Sequence, residues 1–399
     1  MSEVAVESAP ERASQSYQRA GHRSTTYAVR VKLGVAAAVV DGSLVRGDVE
    51  IDEGRIVSVG LPGGRSGLAI PGLVDLQVNG FRGVDVLQAT GDEILALNVE
   101  LARTGVLWYQ PTLITAPAEL TRLALATIGD SIGGAAAKDR GARILGAHLE
   151  GPFLSADRAG AHPVEHLRSP DLDLLASFLL GGCSVTTVTL APELTRAGEL
   201  IDALVGRNIT VSLGHSDATA PVAQAAFDQG ARTVTHLFNA MRPFGHRDPG
   251  VAGTALARAD VIVQLIADGA HLAPETILTT WRAARGRIAL VSDLIAAGGL
   301  GDGSFRVGTV DVTVEGGVSR LADGTLAGAV RPLAWGLRML VELGVPIVEA
   351  VAAVTSTPAL VLGRDDIAVL RPGAPADLVV LDDDFAVRSV LLGGRTVET

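Results

Sequence analysis

The 399 residues include a single cysteine, Cys183, so no disulfide can form within the chain, and this composition suits a reducing cytoplasm. Cys183 stands between Gly182 and Ser184 just before an apolar run, with no basic neighbour to activate a thiol, and reads as core filler. Long hydrophobic runs are also missing. Although 48% of the residues are hydrophobic, charge or glycine interrupts each stretch before it reaches the roughly 20 apolar residues of a membrane-spanning helix. The first thirty or so residues scatter Ser, Arg, Gln and Glu and contain no apolar block behind a basic end. That argues against a secretory signal and predicts a disordered extension over residues 1–27. Excess positive charge is absent too: the formal net charge is −11, so neither nucleic acid nor an anionic membrane is an expected partner. An anionic small molecule stays open, because a few Arg and His residues set the sign of a pocket. No G-x-G-x-x-G follows an early strand, which argues against a dinucleotide-binding fold.

What is present is ordered in three stretches. Residues 28–31, 37–40, 47–51 and 55–59 read as short strands separated by Asp41-Gly42 and Glu53-Gly54 turns, and residues 377–381 and 389–392 read the same way. Two β-rich ends around a different middle predict a small β-sandwich built from residues 28–70 and 364–399. Between them, residues 71–363 alternate short apolar strands (144–148, 184–189, 209–213, 233–235, 261–266 and 288–291) with amphipathic helices such as 221–229 and 274–284. This pattern, near eight units long, predicts an α/β fold, a (β/α)8 TIM-like barrel.

Barrel enzymes carry their reactive groups where strands end, so polar residues capping apolar strands are the first candidates. Four stand out: Glu150 after the strand at 144–148, His215 after Val211-Ser212-Leu213-Gly214, His236 after Thr233-Val234-Thr235, and Asp293 after Ala289-Leu290-Val291-Ser292. A lone histidine there is usually a satisfied loop residue. Two at successive strand ends beside a third strand's glutamate, in a chain with 8 histidines, form instead the ligand set of an open catalytic metal site. Zinc is the default ion, and Fe, Co or Mn also accept such nitrogen and oxygen ligands. Asp293 is placed to move a proton between water and a leaving nitrogen. The first barrel strand carries Gln77 and Asn79, amides that are poor ligands compared with imidazoles, which predicts one divalent ion per subunit.

The strings Pro71-Gly72-Leu73-Val74-Asp75, His148-Leu149-Glu150-Gly151-Pro152-Phe153, Gly214-His215-Ser216, Thr235-His236-Leu237-Phe238-Asn239-Ala240-Met241, Ala267-Asp268-Gly269-Ala270-His271 and Val291-Ser292-Asp293 resemble, in order, the motifs of N-acetylglucosamine-6-phosphate deacetylases. The resemblance implies a cytoplasmic amidohydrolase that releases acetate from N-acetylglucosamine 6-phosphate, with Glu150, His215 and His236 as metal ligands and Asp293 as general base and acid. It further implies that Ala161 and His162 lie at the substrate's acetamide, and that Asn239, Ala240, Arg247 and His271 hold the sugar phosphate. Leu326, Ala327 and Gly328 would line the pocket, and Arg247 would reach the neighbouring site of a homodimer. Other readings are deacetylation of a different N-acetyl amino sugar, or a non-catalytic sugar-phosphate-binding protein. Leu294, the segment 329–335 and Trp108-Tyr109-Gln110 depart from the family's usual pattern and are expected to reshape the pocket rim.

Overall fold

The computed structural model describes residues 30–133 and 141–398; the extension expected at residues 1–27 lies outside the described residues. Eight parallel strands form the central barrel: β1 Leu73–Val78, β2 Val106–Ile114, β3 Ala147–Glu150, β4 Val185–Leu190, β5 Thr210–Leu213, β6 Thr233–Val234, β7 Ile262–Leu265 and β8 Ile288–Leu290. Every residue of β1 and all but Ile114 of β2 are buried, as expected of strands covered on both faces. No hydrogen-bonded ladder joins β8 to β1 along their length. The barrel closes at the C-terminal rim, where Asp293 N–H donates to Gln77 O at 3.0 Å and Asn79 N–H to Leu294 O at 2.7 Å.

Local chemistry explains the elements around this core. The helix Gly91–Arg103 starts at a capping box, in which the Glu93 carboxylate accepts from Thr90 N–H at 2.8 Å, and it buries Ile94, Leu97 and Leu101 at three- and four-residue spacing. The strand expected at 144–148 is split. Gly146, at φ +102°, breaks it into the short Arg143–Ile144 and β3, because a side chain there would collide with Thr186. Glu150 is consequently the last residue of β3.

The two chain ends meet in one sheet. Strand Leu68–Pro71 lies between Leu378–Leu381, antiparallel, and Ala37–Val40, parallel. A three-stranded sheet containing Asp48–Asp52 and Arg55–Leu61 packs beside it through Val35, Val49, Ile51, Ile56, Leu378 and Val380. A further three-stranded antiparallel insert, Gly303–Val307, Val310–Glu315 and Val318–Arg320, follows β8; it was not anticipated from the sequence. Its alternating Val310-Asp311-Val312-Thr313-Val314-Glu315 and the Gly316-Gly317 turn were the available signal. No helix among the described residues is long and apolar enough to cross a membrane.

Candidate metal centre and substrate cavity

Glu150, His215 and His236 converge from the ends of β3, β5 and β6. Glu150 Oε1 lies 2.9 Å from His236 Nε2 and 3.2 Å from His215 Nε2, and the two ring nitrogens are 3.1 Å apart. All three residues are buried, and their ligand atoms lie within 4.8 Å of one another. Two nitrogens bound tetrahedrally to one zinc sit about 3.3 Å apart, so the set fits a divalent ion. His215 Nδ1–H donates to the Arg158 carbonyl at 3.0 Å, which leaves the Nε2 lone pair facing Glu150. Burial opposes ionisation of Glu150, yet the His215 and His236 contacts hold its carboxyl well below the usual range. Burial likewise opposes a charge on His236, but Glu150 and Asp293 raise it. The cluster therefore has the electrostatics of a cation site. His148, in the same motif as Glu150, is not part of it: its ring is bound to Thr189 and Thr112, and burial pushes it down to about 4.

Asp293 faces Glu150, His215 and His236 across the barrel seam. Its Oδ1 accepts from Asn79 Nδ2 at 2.7 Å and from Gln77 Nε2 at 3.1 Å, and Gln77 Nε2 also reaches Glu150 Oε1 at 3.0 Å. Both amides meet carboxylate oxygens, which only accept, so their NH2 groups are the ones turned inward. Oδ2 is left open toward Gly328, whose φ of +68° and closeness to Ile295 and Asp293 require glycine. Burial first, then the Glu150 charge, raises the Asp293 carboxyl, while His236, His271 and Asn79 pull it back.

A cavity of about 440 Å³ opens on this centre, within the range of small-molecule sites. Its lining includes Ala161, His162, Asn239, Ala240, His271, Leu326, Ala327 and Gly328 together with Glu150, His215, His236 and Asp293. His162 Nδ1 accepts Thr115 N–H at 3.2 Å, so the ring presents Nε2–H toward Glu150 Oε2, 3.8 Å away; burial drives the ring down to about 3 and keeps it neutral. His271 Nδ1 is bound to Asp268 Oδ2 at 2.9 Å. Asn239 Nδ2 turns back to the carbonyls of His236 and Leu237. Arg247 is exposed and lies apart, in a surface hollow with Arg158, Asp217, Arg242 and His246.

The three expected rim departures do not line the cavity. Trp108, Tyr109 and Gln110 are buried in the wall of β2, where Tyr109 Oη donates to Asn98 and Gln110 to Thr186 and Thr187. Leu294 is fully buried in the barrel seam, and Arg331 and Trp335 border a separate small crevice. Trp108, Tyr109 and Gln110 lie in the first half of β2, short of its C-terminal end, where Ile114 lines the cavity. Conversely, Gln77 as a donor to two carboxylates, Thr115 as the anchor of His162, and the lining residues Phe238, Val307, Val310 and Arg320 escaped the sequence reading. For Thr115 the signal was its place just past β2; Arg320 had none.

A (β/α)8 barrel with a buried Glu-His-His set and an opposed aspartate at its C-terminal rim defines a metal-site barrel hydrolase. The profile of the Amidohydrolase family matches residues 68–397. The chain is 40% identical over 351 residues to the N-acetylglucosamine-6-phosphate deacetylase of Homo sapiens, covering 84% of each chain. It is 36% identical to the N-acetylgalactosamine-6-phosphate deacetylase of Escherichia coli O157:H7, covering 82% of this chain and 87% of that one. Among solved structures, an aspartate-to-alanine mutant of N-acetyl-D-glucosamine-6-phosphate deacetylase from Mycobacterium smegmatis, in complex with N-acetyl-D-glucosamine-6-phosphate, superposes with a TM-score of 0.86 at 33% identity, over 93% of this chain and 100% of that one. The chain belongs to the N-acetylglucosamine-6-phosphate deacetylase family of amidohydrolases.

Proposed function

We propose that the chain hydrolyses N-acetylglucosamine 6-phosphate to glucosamine 6-phosphate and acetate. The observation that carries this is the convergence of Glu150, His215 and His236 opposite the open Oδ2 of Asp293, on one cavity of sugar-phosphate size. Glu150, His215 and His236 would hold one divalent ion, zinc first and Fe, Co or Mn as compatible ions, which when bound supplies Lewis acidity and lowers the pKa of water. Asp293 Oδ2 takes a proton from the attacking water and returns it to the leaving nitrogen; its raised carboxyl pKa makes it a better base for this transfer. The neutral His162 offers Nε2–H as a donor to the acetamide, held in place by Thr115. Water's oxygen ends in acetate and its two hydrogens on the released amine and the acid.

Asn239, Ala240 and His271 are assigned to the sugar-phosphate end, with Leu326, Ala327 and Gly328 along the sugar. Arg247, exposed and outside its own cavity, is assigned to the neighbouring site of a homodimer. The sandwich is assigned to residues 28–70 with 364–399 and the barrel to 71–363. The single, buried Cys183 supports a cytoplasmic setting. A second reading, deacetylation of the galactosamine epimer, is favoured by the name of the Escherichia coli relative.

Acetate release from both epimers, with and without chelator, tests these readings. Turnover of the glucosamine compound that chelator abolishes is expected; release from neither epimer would sink the proposal. The Asp293→Asn protein should lose activity by about a hundredfold to ten-thousandfold yet still bind substrate.

A further inference from the structure

The reading above asks one cavity to hold a phosphate beside two carboxylates, Glu150 and Asp293, and the cavity's own cations are few. Arg247 lies in a different hollow, where Arg158 and Arg242 are paired with Asp217 and Asp248. Arg331 stacks 4.3 Å from the Trp335 ring centroid and donates to the Asp268 carbonyl at 2.7 Å, away from the cavity. His271 is matched by the Asp268 carboxylate. Among the described lining residues, Arg320 is the sole arginine or lysine.

Arg320 ends the last strand of the insert and is exposed, with no acidic partner among the described residues. Nη1 donates to the Gly324 carbonyl at 2.8 Å, which leaves Nε and Nη2 available. The nearby acid, Asp323, accepts from Thr325 N–H instead. The turn does not depend on the guanidinium, since Leu321 N–H to Thr325 O and Gly324 N–H to Leu321 O close it through the backbone. The insert itself is fixed on the barrel by Val307, Val312 and Val314 packing against Ile295, Ala297 and Ala327. An arginine on such a support presents a planar fork of donors to phosphate oxygens with its charge uncompensated.

We infer that Arg320 is a specificity-determining residue that adds a contact from within the same chain to the substrate's phosphate, beside Asn239, Ala240 and His271 and the Arg247 that a neighbouring chain would supply. This rests on the proposed sugar-phosphate substrate and adds a residue and an element to it. The test compares the metal-loaded wild type with Arg320→Gln and Arg320→Lys. KM and kcat are measured for N-acetylglucosamine 6-phosphate and plain N-acetylglucosamine, and calorimetry follows the binding of glucose 6-phosphate, which has no acetamide to cleave. Arg320→Gln is expected to raise KM for the phosphorylated sugar and weaken glucose 6-phosphate binding by about tenfold or more, with kcat within about threefold. Arg320→Lys should recover part of the loss. Unchanged glucose 6-phosphate affinity in Arg320→Gln, an equal fall in kcat/KM for the plain sugar, or no glucose 6-phosphate binding by the wild type would overturn the inference. Binding of glucose 6-phosphate that depends on Arg320, without acetate release from any N-acetyl sugar, would instead overturn the deacetylase reading alone.

Discussion

At the residue scale, the site is written in unusual backbone. His215, His236, Phe238, Ala240 and Asp293 all have positive φ, between 31° and 73°, a region that side-chain-bearing residues rarely occupy. Such conformations cost about 1–3 kcal/mol each and persist where surrounding structure enforces them. Here they turn the chain sharply at the ends of β5, β6 and β8, so that side chains leaving different strands face one point. Asn79 shows how finely the result is tuned. Its amide occupies Asp293 Oδ1 at 2.7 Å, so the proton transfer proposed for Asp293 would use Oδ2. Hydrogen bonds to charged groups contribute about 1.5–3 kcal/mol, so Asn79→Leu is expected to lower kcat by roughly tenfold to a hundredfold. The ion content of the protein, measured by elemental analysis, should stay the same, because Asn79 touches none of the three ligands. A proportional loss of ion would show instead that the amide supports the metal centre.

At the element scale, strand ends depend on polar caps. Just past β7, the Asp268 carboxylate takes the Ala270 and His271 N–H groups, both at 2.9 Å, and the His271 ring. Burial alone would raise its pKa, but these donors outweigh it and hold Asp268 down at about 2, against an ordinary 3.8. A carboxyl lowered by folding stabilises the native state above its unfolded value and loses that contribution as the pH falls through the folded one. The expected contribution is about 2 kcal/mol, present above pH 4 and lost on descending toward pH 2. Urea midpoints measured across this window should fall more steeply for the wild type than for Asp268→Asn; parallel curves would remove Asp268 from the account.

At the scale of the whole molecule, barrel and sandwich share one covalent path. Strand Leu68–Pro71 passes into β1 through Gly72 alone, and the strand Leu378–Leu381 zips along it with Leu378 opposite Pro71. Arg143 beside β2 pairs with the buried Asp377 at 2.6 Å. The entry to the barrel is therefore held by the far end of the chain. Ending the protein before Leu378 should expose Ile70, Ala69 and the inner face of the neighbouring sheet, and yield aggregated material by size-exclusion chromatography rather than a free barrel. Metal analysis of the intact protein is expected to show close to one equivalent per chain, because the first barrel strand offers the amides of Gln77 and Asn79, weak ligands compared with imidazoles. Two tightly held equivalents would contradict this.

Much was readable from the chain alone. Glu150, His215, His236 and Asp293 stood out as candidates because each sits at or just past the C-terminal end of a short apolar strand, and in a parallel barrel position along a strand already decides which end a residue occupies. The alternation of strands and helices and the two β-rich ends follow from side-chain periodicity, which is local. Only the tertiary structure decided which donors meet Asp293 Oδ1, that Leu294 and Trp108 turn into the walls, and that an insert brings Arg320 to the cavity. Those facts depend on distances between residues far apart in sequence, such as Gln77 and Asp293, and barrel closure sets such distances while no local pattern records them.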